Sequence, residues 1–244
     1  MPLPKIETPS YDLVIPSTGE KIKYRPFLVK EEKILLIALE TEDEKQIINA
    51  IQDIIESCVE SDLNARNLAM FDVEYIFLQL RSKSKGEQVD LMFECESCKK
   101  QSPFVLNLNE VQIERTEGHD KEIKLANNIG VTMKYPSIEL KEQFSDDKTD
   151  IENVFSSLIM CLEAIFDNEQ VYSAKDHTVK ELEEFFDALP ESEFQKIQKF
   201  FETMPALRHK LDLKCEQKVG KGKNSKICGH HNTKTLEGLQ SFFG

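Results

Sequence analysis

No run of apolar residues in this chain approaches the roughly 20 needed to cross a bilayer, and its opening stretch, MPLPKIETPSYD, has no apolar signal core. Neither a membrane span nor secretion is therefore expected. Positive charge is also scarce: 31 Lys and Arg stand against 44 Asp and Glu, a net charge of −13. A chain this acidic repels phosphate backbones, which disfavours bulk nucleic-acid binding. Signatures of catalysis are missing too. The sequence has no GxGxxG, no P-loop and no GxSxG, and its five histidines (His119, His177, His209, His230, His231) form no nucleophile or metalloprotease pattern. Adjacent carboxylates at Asp146-Asp147 and Glu183-Glu184 read as solvated faces. No enzyme is expected.

What remains is an ordinary soluble balance, 40% hydrophobic and 31% charged over 244 residues, long enough for one large domain or two small ones. Tyr11–Ile15 and Lys21–Arg25, joined by Pro16-Ser17-Thr18-Gly19, predict a β-hairpin. Three helices follow, near 29–40, 42–60 and 71–82. In the first, Ile34, Leu35, Ile37, Ala38 and Leu39 are expected to be largely buried; the second carries the stripe Ile47, Ile51, Ile54, Ile55, Cys58. Strands are predicted at 89–93, 104–108, 122–125 and 131–135, then a short helix from Pro136 to about Phe144. Asp150 is a candidate N-cap for a helix over 151–166, on the stripe Val154, Phe155, Leu158, Cys161, Leu162, Ile165. Thr178 and Glu181 form a capping box for a helix to about Ala188, and Pro190 separates it from a helix over 191–203. Residues 139–202 hold 17 acidic and 6 basic side chains, so most of the negative charge sits there. A strand is predicted over 206–214, and Thr235–Phe243 reads as a short terminal helix whose Leu239, Phe242 and Phe243 share one face. Too short to be stable alone, that helix needs something to bury its stripe, a partner or the chain's own β module.

The expected fold is thus α+β: helical regions flanking a small antiparallel, zinc-ribbon-like module. Four stretches compose it. They are an N-terminal hairpin with helices (1–84), a β region carrying a CxxC turn (85–136), an acidic helical region (137–204), and a C-terminal strand, second turn and terminal helix (205–244).

Cysteine supplies the one chemical signal. Without a secretory context disulfides are improbable, and Cys58 and Cys161 fall on apolar helical stripes as small core residues. Cys95-Glu96-Ser97-Cys98 is different. It sits between two predicted strands at the spacing that places two sulfurs on one side of a zinc ion. Cys215 and Cys228-Gly229 resemble the second half of such a site, with 12 residues between the cysteines where a standard turn has two to four. The stretch Glu216–Ile227 then reads as a Lys- and Gly-rich insertion looping into solvent. Four thiolates leave no open coordination position, so the zinc at Cys95, Cys98, Cys215 and Cys228 would be structural. Three alternatives stay open: a redox pair, His230 or His231 in place of Cys228, or a CxxC without metal. The basic loop 218–226 also leaves room for a zinc-ribbon regulatory or nucleic-acid-binding protein, although the seven basic and two acidic residues over 206–226 make only a local patch on an acidic chain.

Several segments together resemble a known family. Leu3-Pro4, Tyr11-Asp12-Leu13-Val14-Ile15-Pro16-Ser17-Thr18-Gly19 and Tyr24-Arg25-Pro26-Phe27-Leu28-Val29-Lys30-Glu31-Glu32-Lys33 are similar to the opening of the T-even-like phage baseplate hub assembly proteins. Asp72, Tyr75, Phe77, Leu80 and Arg81 match a second family pattern, and the likeness extends through the CxxC turn to Leu236–Phe243. The long Glu216–Ile227 loop departs from it. The resemblance implies a late structural or assembly protein of a contractile-tailed phage, working in the host cytoplasm or in the tail baseplate. Its implied partners are other hub proteins and the tape measure; a homo-oligomer stays open. It implies no catalytic activity.

Overall fold

The computed structural model describes residues 6–138, 140, 150–220, 225–238 and 241, with the side chains of 150–154 also outside the description. In chain order it contains β1 (Tyr11–Val14), β2 (Lys21–Tyr24), α1 (Val29–Glu40), α2 (Glu44–Cys58), α3 (Met70–Lys85), β3 (Gln88–Glu94), β4 (Gln101–Asn107) and β5 (Gln112–Glu114). There follow β6 (Glu122–Lys124), β7 (Gly130–Met133), α4 (Asp150–Met160), β8 (Leu162–Phe166), β9 (Val171–Ser173), α5 (Val179–Asp187) and α6 (Glu191–Thr203). The last strands are β10 (Ala206–Lys214), β11 (Lys218–Val219), β12 (Lys226–Ile227) and β13 (His231–Glu237). The fold is α+β with several small antiparallel sheets. No described helix is long and apolar enough to cross a membrane.

Two compact units divide the chain, the first from Met1–Ala65, Phe71–Glu114 and Ala206–Gly244, the second from Arg66–Met70 and Arg115–Pro205. In the first, β1 and β2 pair from Tyr11↔Tyr24 to Val14↔Lys21. Gly19 closes their turn at φ +74, a left-handed value that a side chain would strain. Asp43 caps α2, its carboxylate accepting from Lys45 N at 2.9 Å. Of the isoleucine stripe, Ile51, Ile54, Ile55 and Cys58 are at most 2% exposed, and Ile47 is half-buried. Gly86, at φ +104, ends α3 three residues later than its pattern predicts.

Helix α1 departs from expectation. Only Glu31, Leu35 and Ala38 are buried, at the i, i+4, i+7 spacing of one narrow stripe, while Ile34, Ile37 and Leu39 are exposed. The run Ile34–Leu39 is apolar on every side of the helix, and a helix lying on the surface can turn only one side inward.

The second unit is built on the antiparallel sheet β6-β7-β8-β9. Its core holds Leu125, Val131 and Met133 from the sheet's first half, Leu158 and Leu162, and Leu182, Phe186, Ile197 and Phe200 from α5 and α6. The capping box forms: Thr178 Oγ1 accepts from Glu181 N at 3.3 Å and Glu181 Oε2 from Thr178 N at 2.7 Å. Helix α6 spans its predicted range, Glu191–Thr203. The helix expected over 151–166 is corrected. It ends at Met160, and Leu162–Phe166 is strand β8, held between β7 and β9. Two partner strands satisfy its backbone, which outweighs a helical hydrophobic spacing that is only a local preference. Cys161 is buried between helix and strand, and burial pushes its thiol up to about 12. The Phe166 ring lies where a Cβ on Gly130 would be, so any side chain at that strand position requires the ring to shift. The side chain of Asp150, expected to cap this helix, and most of the 136–144 helix lie outside the description.

Candidate metal centre

Strands β3 and β4 pair over their full length, from Gln88↔Asn107 to Glu94↔Gln101, and the Cys95–Lys100 turn joins them. In that turn Lys99 N donates to Cys95 O at 2.9 Å and Cys95 N donates to Lys100 O at 3.0 Å. Lys99 takes φ +58. The Cys215–His230 connection repeats these bonds. Gly229 N donates to Cys215 O at 2.9 Å, Cys215 N donates to His230 O at 2.8 Å, and Gly229 has φ +67. Gly229 therefore occupies the place of Lys99, and two turns of one geometry face each other.

The insertion is itself structured at its base. β11 and β12 pair as Lys218↔Ile227 and Val219↔Lys226, and Cys228 N donates to Gln217 O at 2.8 Å. The ten residues 218–227 thus leave and re-enter the turn at one point. Without them the sequence would read Cys-Glu-Gln-Cys-Gly-His, an ordinary CxxC turn. The hairpin's tip, 221–224, lies outside the described residues.

The sulfurs of Cys95, Cys98, Cys215 and Cys228 all lie within 4.8 Å of one another. Cys95 Sγ is 3.9 Å from Cys228 Sγ, and Cys98 Sγ is 3.7 Å from Cys215 Sγ. A disulfide needs about 2.05 Å, so these are free thiols. A tetrahedron with Zn–S near 2.3 Å has edges of about 3.8 Å, so the cluster is already close to the size a zinc ion requires. Backbone N–H groups of Cys98 and then Ser97, working against desolvation, bring the Cys95 thiol down to about 6. The Lys100 N–H favours the Cys98 thiolate, but burial and the three neighbouring cysteines outweigh it and push Cys98 up to about 11. One negative sulfur thus makes a second costly, unless a cation is shared.

Phe93, Phe104 and Leu213 pack around the sulfurs, and Asn232, fully buried, ties the two turns together. Its Oδ1 accepts from Glu96 N at 2.9 Å, and its Nδ2 donates to Leu213 O and His230 O at 3.2 Å each. Lys234 adds an ion pair to Glu96 at 2.7 Å. Nothing in the local sequence singles out Asn232; its role exists only because residues 136 positions apart meet. His230 and His231 are exposed and are not part of the cluster.

Residues expected to form a terminal helix are partly corrected. Thr235, Leu236 and Glu237 belong to β13, which pairs with β10 from Lys214↔His231 to Arg208↔Glu237. Leu239, Phe242 and Phe243 lie outside the described residues. Of the remaining histidines, His119 is stacked on Tyr135 and on Phe200. Its Nδ1 is 2.9 Å from Thr203 Oγ1 and its Nε2 is 3.1 Å from Tyr135 Oη. Burial lowers its pKa, as suits a neutral packed ring.

Comparison with known proteins gives one consistent result. The family model described as "T4 bacteriophage base plate protein" matches residues 8–244. The baseplate hub assembly protein gp26 of Enterobacteria phage T4 is 25% identical over 227 residues, covering 92% of this chain and 94% of its own length. No solved structure matches.

Proposed function

Because this chain belongs to the T4 bacteriophage base plate protein family, we propose that it is a non-catalytic hub component or hub assembly factor acting through contacts with other hub proteins and the tape measure. It works in the host cytoplasm during tail assembly and can remain in the tail baseplate. The family match across nearly the whole chain carries this reading. The surface of α1 supports it: Val29 is 80% exposed, Ile37 54%, Leu36 50% and Ile34 46%. Several large apolar side chains exposed on one helix are a liability unless a partner covers them, and in a base plate protein the fitting occupant is an apolar surface of a neighbouring hub protein.

Zinc has a structural role in this reading. Cys95, Cys98, Cys215 and Cys228 hold it as four thiolates in a zinc-ribbon-like pair of turns. When bound, the ion cross-links the β10–β13 segment to the β3–β4 hairpin. No observation favours a nucleic-acid-binding role over this one.

The test is the double variant Ile34→Asp with Ile37→Asp, expressed in infected cells that lack the wild-type protein. Both side chains are exposed, so the isolated protein keeps its melting temperature. Hub proteins no longer co-purify with it, and tails fail to assemble. Normal tails from this variant would remove α1 from the assembly contact, and normal tails in the complete absence of the protein would overturn the function.

A further inference from the structure

Strands β3 and β4 carry apolar residues on both faces of their sheet. Leu91-Met92-Phe93 and Pro103-Phe104-Val105-Leu106 are continuous apolar runs. Strands covered on both sides read this way, whereas a sheet with one wet face alternates. One side is covered here: Val89, Leu91, Phe93 and Leu106 are buried. On the other side Met92 is 62% exposed, Val105 is 58% exposed, and Pro103 is exposed as well. Met92 lies directly opposite Pro103, and Asp90 directly opposite Val105, so the three apolar side chains are neighbours on one face. Asp90 and Glu94 share that face at alternate positions of β3. Both are exposed, and among the described residues neither carboxylate makes an ion pair or a hydrogen bond. Pro103 has no N–H to offer along β4, whose outer edge is unpaired among the described residues, so the face and not the edge is the place for a partner.

The β11–β12 hairpin presents the opposite charge. Lys218 stands directly opposite Ile227, so the two side chains share a face. Ile227 is 60% exposed. Lys218 and Lys226 are exposed too, and among the described residues neither ammonium meets a carboxylate. The acidic residue closest to them in sequence is Glu216. Lys100 Nζ donates to Lys218 O at 2.6 Å, which fixes the base of the hairpin to the Cys95–Lys100 turn and brings a third positive charge beside it.

We propose that the outer face of the β3–β4 sheet docks the β11–β12 hairpin of a second copy of this chain. The second copy's Ile227 covers Met92, Pro103 and Val105, and its Lys218 and Lys226 meet Asp90 and Glu94. Both surfaces stay exposed within one chain, so the contact joins different copies. The two surfaces are unlike, which makes the contact heterologous. Each copy gives its hairpin to one neighbour and its sheet face to another, and the assembly closes into a ring where the rotation permits. The contact uses neither the exposed side chains of α1 nor the cysteines, so it stands independently of the hub contact proposed above.

Sedimentation velocity on the full chain tests it. Wild type should self-associate with rising concentration, and more weakly between about 0.1 M and 1 M salt, as the Debye length shortens from about 10 Å to about 3 Å. Asp90→Lys with Glu94→Lys, and separately Lys218→Glu with Lys226→Glu, should each weaken self-association at least about tenfold, because like charges then face each other. An equimolar mixture of the two double variants should associate again, since every surface in it meets its opposite. Mixing cannot repair a damaged fold, so this recovery belongs to the contact itself. A wild type that stays monomeric throughout, association that neither double variant changes, or a mixture no more associated than its parts would each overturn the proposal.

Discussion

Arg25 donates from Nη2 to Glu31 Oε1, six positions on, at 2.8 Å, closing a loop at the start of α1. The same nitrogen donates to Ser57 O at 2.9 Å, tying the pair to the end of α2. Glu31 Oε2 accepts from Leu28 N at 2.8 Å, the carboxylate half of a capping box; a leucine side chain has nothing to return. The Arg-Pro-Phe-Leu-Val-Lys-Glu-Glu-Lys segment thus contains its own structural logic. Phe27 stacks on Phe77, its N–H donates to Ser84 Oγ at 2.9 Å, and the ion pair sets the entry of the helix.

The Arg25–Glu31 pair predicts a pH dependence. Burial would raise the Glu31 carboxyl, but bonds from Arg25, Leu28 N and Lys30 outweigh it and hold it at about 2, below its ordinary 4.5. A carboxyl depressed on folding contributes stability that is full above its unfolded value and is lost as the pH falls through the folded one. Glu31→Gln should therefore be less stable than wild type by about 1–3 kcal/mol at neutral pH. The difference should shrink between about pH 4.5 and 2. Urea titrations of both proteins across this range measure it; a constant difference would show that the charge is irrelevant.

Purified protein should carry about one zinc per chain, as a four-thiolate site requires. Cys95→Ser and Cys215→Ser should each lower zinc content by elemental analysis and depress the melting temperature, and a strong chelator should do the same to wild type. His230→Ala with His231→Ala should keep its zinc. Full occupancy in a protein lacking both Cys215 and Cys228 would refute the ligand set.

Asn232→Ala should cost about 1–3 kcal/mol, because it leaves the Glu96 N–H and two carbonyls without their buried partner. It should also speed zinc loss to a competing chelator, since Asn232 positions both turns without touching the ion. A slowed or unchanged release rate would deny it that role.

Deleting Lys218–Ile227 should leave a working Cys-Glu-Gln-Cys turn. Loop closure varies by only about 0.6 kcal/mol per doubling of length, so zinc content should be retained and melting should shift by only a few degrees. Loss of zinc on deletion would show that the β11–β12 hairpin holds its cysteines in place.

Gly130→Ala should destabilise the second unit by about 1–3 kcal/mol, because the new methyl meets the Phe166 ring. The double change Gly130→Ala with Phe166→Leu should recover part of the loss in a thermal melt. Equal stability of wild type and the single variant would mean the ring simply moves aside.

Much of the architecture was legible where a signal needs only neighbours in sequence. Thr178 and Glu181 announce α5 because a capping box closes within four residues. Pro190 and the Phe194–Phe201 spacing announce α6, and the apolar alternation of Ala206–Lys214 announces β10. Cys95 and Cys98 stood out by their spacing, and the Cys215–Cys228 interval was readable as an interrupted turn. Failures came where distant residues decide. Leu162–Phe166 keeps a helical spacing of apolar residues yet is a strand, because β7 and β9 lie on either side of it.

By itself, then, the sequence determined the local elements, the acidic charge distribution and the four candidate sulfurs, since each depends on residue type and short-range spacing. Tertiary structure alone decided which side of α1 faces inward, that Thr235–Glu237 extends a sheet, and that Asn232 joins two turns by reaching Glu96, 136 residues away. Burial and strand pairing are properties of contacts between segments far apart in the chain. No local pattern encodes the partner that will satisfy a backbone or cover a side chain.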